Sequence, residues 1–191
     1  MMKRFFIFSC ILLLSIPSLH AGIWVSAGVP AGFSWTSSGT GAYSHDAFAT
    51  TNPTGSMVHL KLPGLPVMGY TKVDIEVAPV DQAVSDKTRS KLSLEMMELL
   101  FELPLDSVNF LLGYGWGFAK FTCGTADCED LTFDHKESHQ FTGVLGVPLW
   151  GGDFHITGRR VFGKIRVGSG DEAQPQVFTG FLTGFGFRIG F

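Results

Sequence analysis

The chain ends on "FTGFLTGFGFRIGF", residues 178–191, a stretch that alternates with a period of two. Phe181, Thr183, Phe185, Phe187, Ile189 and Phe191 fall on one face, and Gly180, Leu182, Gly184, Gly186, Arg188 and Gly190 on the other. A β-strand sends successive side chains to opposite faces, so one face here is large and apolar and the other small with a single charge. The pattern recurs. "FLLGYGWGFAKF" sets Phe110, Leu112, Tyr114, Trp116 and Phe118 against Gly113, Gly115, Gly117 and Ala119. "TKVDIEV" sets Thr71, Val73, Ile75 and Val77 against Lys72, Asp74 and Glu76. "IWVSAGVPAGFSW" sets Ile23, Val25, Ala27, Val29, Ala31, Phe33 and Trp35 against Trp24, Ser26, Gly28 and Gly32. "MVHLKL" repeats it, and "FTGVLGVPLW" and "FHITGRRVF" follow it more weakly.

Eight strands result, at 23–36, 55–63, 67–80, 91–104, 109–122, 139–150, 154–166 and 176–191. The fourth, "KLSLEMMELLFEL", also fits a helical stripe; as a strand it needs a slip in phase near Met97, a bulge. Connections alternate between long polar ones (37–54, 81–90, 123–138, 167–175) and short ones (63–66, 105–108, 151–153). An antiparallel meander then gathers every long loop at one end.

An eight-stranded barrel in water would turn its apolar face inward and its polar face outward. The face opposing the bulky residues is rich in glycine, which a water-facing surface has no reason to prefer. A narrow lumen has one, because eight strands leave an interior just wide enough for side chains to fill. The sequence therefore predicts an all-β, eight-stranded antiparallel transmembrane up-and-down β-barrel, apolar side outward. Closure pairs every backbone group that hydrocarbon would otherwise strand. Trp35, Phe110, Tyr114, Trp116 and Phe191 are the residues expected in interfacial aromatic girdles.

On this phasing Lys61, Lys72, Asp74, Glu76, Glu95, Glu102, Arg159 and Arg188 face the lumen, while Glu98 and Arg160 stay unassigned. Charges in so tight a space must pair. They form either a plug that fixes register or a path for protons or ions through a narrow pore.

The N-terminus carries an export signal. Lys3 and Arg4 precede an apolar run from Phe5 to Ile16, and "PSLHA" offers a cut after Ala21. The run is shorter than the ~18 apolar residues of a spanning helix. Residues 1–21 are the signal peptide and 22–191 the barrel domain. Losing Lys3 and Arg4 moves the formal charge from −3 to −5. No basic patch remains for nucleic acid. Cys10 lies inside the signal's apolar run without a lipoprotein cut site. Cys123 and Cys128, an even pair in an exported chain, read as one disulfide closing a small loop. With His135 and His139 nearby, a zinc cluster is the competing reading, though its spacing is loose and no metal site is assigned.

The last strand resembles the terminal strand of bacterial outer-membrane barrels, and the chain resembles the small OmpA/OmpX type. The resemblance covers the whole chain in architecture and specific residues only at the end. It implies an integral outer-membrane location in contact with lipid and lipopolysaccharide. It also implies that Phe185, Phe187, Ile189 and Phe191 form the tag read by the barrel-insertion machinery. Some small outer-membrane barrels modify lipopolysaccharide with a His and a Ser or acid at the membrane edge. His155 with Thr157, and His59, are the catalytic candidates for that alternative. No cofactor is predicted. The favoured role is structural or surface-interacting, with loops 37–54 and 123–138 open to an extracellular ligand.

Overall fold

The computed structural model describes residues 22–35, 48–50, 53–79, 90–103, 105, 108–122, 136–167 and 174–190. Their strands are β1 (Trp24–Trp35), β2 (Phe48–Thr50), β3 (Thr54–Lys61), β4 (Val67–Pro79), β5 (Ser90–Leu103), β6 (Asn109–Thr122), β7 (Lys136–Leu149), β8 (Gly152–Val167) and β9 (Gln174–Gly190). Each of β3 to β9 pairs antiparallel with the next, β1 pairs with both β3 and β9, and the ring closes. The short β2 sits beside the upper end of β4, where Phe48–Thr50 meet Val77–Pro79. Together β2 and β3 make one stave, so the barrel has eight. β2 falls within the loop expected at 37–54, where no alternation marks a strand. It exists because β4 runs higher than β3 and its end requires a backbone partner.

The register fixes the barrel's shape. From Val25 the ladder passes Leu60, Met68, Leu99, Tyr114, Phe141, Arg160 and Phe181, and meets β1 again at Ser34, nine residues on. One of the nine is the extra residue of a bulge between Pro30 and Gly32, leaving a climb of eight over eight strands. Each step from strand to strand therefore rises by one residue. Lys72, Trp116 and Arg160 lie at one level, and Glu95 and His139 one residue higher.

That level divides the barrel. Below it the exterior is apolar, with Val25, Val58, Met68, Phe101, Leu112, Phe141, Leu145, Ile156 and Phe185 all exposed. No described charged side chain faces outward there. At that level Lys72 faces outward, and above it Glu76, Lys91, Glu95, Lys120 and Glu137 do. The interior there is an apolar cluster of Phe33, Val73, Ile75, Leu92, Leu94, Ala119, Val161, Phe178 and Leu182. The lower zone turns outward what hydrocarbon solvates, and the upper zone what water solvates.

Four expectations are corrected. "TKVDIEV" belongs mostly to the upper zone, so Val73 and Ile75 point in and Lys72, Asp74 and Glu76 do not face the lumen. Glu95 likewise faces outward. No bulge interrupts β5: its register with β4 and β6 is unbroken, and Leu92, Leu94, Met96, Glu98 and Leu100 all face in. The bulge lies on β1 instead. It turns Phe33 inward, although the plain alternation placed it outside.

Glycines line the interior where large side chains need the room. Gly28 and Gly186 face each other at the seam between the first and last strands. A methyl group at Gly186 would press on the Ala27 carbonyl oxygen and the His155 ring, neither of which is free to retreat. At outward Gly143 a Cβ meets only Leu112, at 3.8 Å. Gly186→Ala is expected to destabilise by ~1–3 kcal/mol and Gly143→Ala to leave stability essentially unchanged. Urea unfolding in detergent, followed by tryptophan fluorescence, measures both.

Candidate functional site

The middle of the lumen holds a buried ionic network centred on Glu98 of β5. One carboxylate oxygen, Oε1, accepts from Thr71 Oγ1 at 3.0 Å and Arg159 Nη2 at 3.0 Å, and lies 3.2 Å from His59 Nε2. The other accepts from Thr142 Oγ1 at 2.7 Å and Gln140 Nε2 at 3.2 Å. These groups come from β3, β4, β7 and β8, so one carboxylate ties together strands around the ring. Arg159 is completely buried; its Nη1 donates to Thr157 Oγ1 at 2.9 Å and contacts Met57 Sδ at 2.7 Å. A buried ion pair offsets its desolvation only when such further hydrogen bonds accompany it.

His59 also lies 2.9 Å from Ser26 Oγ through Nδ1. Ser26, His59 and Glu98 thus stand in a row of serine, histidine and acid. The cavity beside them, lined by Ser26, His59, His155, Asp153 and Arg188, is ≈ 10 Å³, room for about one water molecule. The row ties β1, β3 and β5 together.

A second charged set closes the short-turn end. Arg188 of β9 donates from Nε to Asp153 Oδ2 at 2.6 Å and also reaches it through Nη2. It donates from Nη1 to Glu102 Oε1 at 3.2 Å and stacks its guanidinium 4.7 Å from the centre of the Trp24 ring. Trp24 Nε1 donates to the same Glu102 oxygen at 3.1 Å, and Lys61 Nζ stands 3.7 Å from Oε2. Between the two sets Val67, Leu100, Leu111 and Val144 form an apolar layer that packs on Trp24 of the lower set. Below Arg188 the barrel widens into an open mouth of ≈ 670 Å³.

Of the residues expected in a lumen network, the structure places Lys61, Glu102, Arg159 and Arg188 inside, in two separate clusters. Lys72, Asp74, Glu76 and Glu95 are corrected to the exterior above the apolar band. There Asp74 pairs with Lys91 at 2.8 Å and Glu95 accepts from Tyr70 Oη at 2.5 Å. His59, His155 and Thr157 are all buried inside. Phe185 and Ile189 are exposed on the outer face and Phe187 half-exposed beside them. Cys123, Cys128 and Phe191, most of loops 37–54 and 123–138, and segment 1–21 lie outside the described residues. Sequence reasoning missed Glu98, Ser26 and Asp153. An unbroken alternation through Met97 would have put Glu98 indoors, and an acid with no outward alternative then demands a cation.

No protein-family model matches the chain, and no curated protein matches it. Among solved structures it is similar to the outer membrane protein OprG from Pseudomonas aeruginosa, with a TM-score of 0.53 at 10% sequence identity. The match covers 90% of this chain and 96% of that one. The likeness is one of fold.

Removing one member of the Glu98–Arg159 pair leaves the other buried without a counter-charge. Glu98→Leu or Arg159→Met alone should cost about 3–5 kcal/mol, and the double replacement less than either. A double-mutant cycle on urea midpoints in detergent reads the coupling directly.

Proposed function

We propose that this chain is a small integral barrel of the bacterial outer membrane, released from its signal peptide after Ala21, with a structural or surface-interacting role. The observation that carries the reading is the apolar exterior below the level of Lys72, Trp116 and Arg160, free of outward charges among the described residues and wrapped around a filled interior. From Ile23 to that level the tilted strands climb roughly 20 Å. Outer-membrane barrels carry an apolar band about 25 Å tall. A surface this greasy has no place in water, and a closed ladder has no edge to leave unpaired in hydrocarbon.

The polar, aromatic-rimmed end then faces the cell exterior and carries loops 37–54 and 123–138, the latter stapled by Cys123 and Cys128. These loops are where a ligand would be met. Kinship with OmpA/OmpX-type barrels rests on the terminal strand, whose outward Phe185, Phe187 and Ile189 lead to Phe191 as an insertion tag. The layered interior weighs against an open pore. A lipid-modifying activity would need His59 or His155 with Thr157 at the outer wall, and all three point away from surrounding lipid.

The mature chain, folded in detergent, should migrate differently on a gel with and without boiling and give a β-rich circular dichroism spectrum. In planar bilayers it should give no open-channel steps. Solubility and folding without detergent would contradict the membrane placement, and a steady conductance would contradict the filled interior.

A further inference from the structure

The upper rim of the apolar band is not electrically uniform. On the flank built by β4 and β5 acids outnumber bases: Asp74, Glu76 and Glu95 stand with Lys72 and Lys91, and Lys91 pairs with Asp74 at 2.8 Å. The flank built by β6, β7 and β8 is different. Arg160 is exposed at the rim level, and among the described residues no carboxylate lies within ion-pair distance of it. Its guanidinium sits 5.3 Å from the centre of the Phe162 ring, which holds the side chain without occupying its hydrogen-bond donors.

Around it the outer wall is aromatic. Phe141, the direct ladder partner of Arg160, meets the Phe162 ring edge-to-face at 5.9 Å and the Tyr114 ring at 5.5 Å. His139, one outward position above Phe141 and one residue above the rim level, stacks on Tyr114 at 5.8 Å, and its Nδ1 lies 2.6 Å from the Tyr114 hydroxyl. With that hydroxyl donating to Nδ1, the imidazole keeps its proton on Nε2, a second donor on the same flank. Glu137 is the next outward residue of β7, a further step above His139.

We propose that Arg160 and His139, above the aromatic side chains of Tyr114 and Phe141 and flanked from higher on β8 by Phe162, form a binding site for the phosphate of a lipid in the outer leaflet. The assignment rests on the outer-membrane placement proposed above. An amphiphile matches every part of it. Acyl chains lie along the apolar wall below the rim, and the phosphate reaches the planar guanidinium, whose paired donors suit its oxygens. On the opposite flank three carboxylates stand with two lysines, which leaves no excess of positive charge for a phosphate.

The test uses the mature chain folded in detergent. The probes are bis-phosphorylated lipid A, its dephosphorylated form and inorganic phosphate, with retained lipid counted by native mass spectrometry. Wild type should retain the phosphorylated lipid roughly tenfold better than Arg160→Gln. Dephosphorylated lipid should be held equally by both, and inorganic phosphate should displace nothing. Arg160→Lys, which keeps the charge but loses the fork, should fall between, and Lys91→Gln on the other flank should match wild type. Equal retention of the phosphorylated lipid by wild type and Arg160→Gln would overturn the site, as would displacement by inorganic phosphate alone. Should Arg160→Gln lose the heat-shifted folded band, His139→Gln and Arg160→Lys carry the comparison, and equality of both with wild type overturns the site. A heat-shifting wild type without phosphate preference defeats the site alone. A wild type soluble without detergent defeats the membrane placement and the site with it.

Discussion

Everything in this structure depends on a backbone ladder with no free edge. Hydrocarbon offers no partner for an amide or carbonyl, so a sheet in a membrane must close on itself. Closure across eight strands with a climb of eight residues leaves a lumen that side chains fill. The glycine-rich inner face follows, because two opposing walls cannot both carry large residues. Gly28 and Gly186 mark where this is tightest, at the seam that joins the chain's beginning to its end.

What fills the lumen follows from a second constraint. Polar groups turned away from hydrocarbon must find partners indoors, since an isolated buried charge is costly. Glu98 satisfies this with donors from β4, β7 and β8 and His59 of β3 close by, and Arg188 does the same for the short-turn end. Both clusters cross-link strands far apart in sequence, which specifies register where apolar packing alone would tolerate a slip. The same arrangement draws His59, His155 and Thr157 away from the outer surface. His59 and Thr157 hydrogen-bond to neighbours in the lumen, and His155 lies buried with its ring against His59.

Much of the fold was legible in the sequence because alternation is a property of single strands. The staves, the outward Phe185 and Ile189, the inward glycines and the gathering of long loops at one end all follow from period two. The face assignments of Lys72, Asp74, Glu76 and Glu95 did not follow, because they depend on height. A strand that begins in hydrocarbon and ends in water keeps its alternation but changes which residues suit each side. "TKVDIEV" looks like a membrane strand and lies mostly above the apolar band. Phe33 was misplaced by one extra residue between Pro30 and Gly32, which shifts phase without leaving a mark in composition. Glu98 was illegible for the opposite reason: a slip was expected where β5 runs straight. His59 and Ser26 are 33 residues apart in sequence, and only the register brings them together.

On the placement proposed above, the barrel's surroundings change from hydrocarbon to water at the level of Lys72, Trp116 and Arg160. Spin labels along β4 test it most directly, placed singly at 68, 70, 72, 74 and 76 in protein reconstituted into vesicles, with Cys123 and Cys128 replaced by Ser. Collisions with oxygen should dominate at 68 and 70 and those with a water-soluble nickel chelate at 74 and 76, crossing near 72. Labels at 73 and 75 should be immobile and reached by neither. A chelate reaching all five outward positions, or immobile labels at 72, 74 and 76 with mobile ones at 73 and 75, would contradict it.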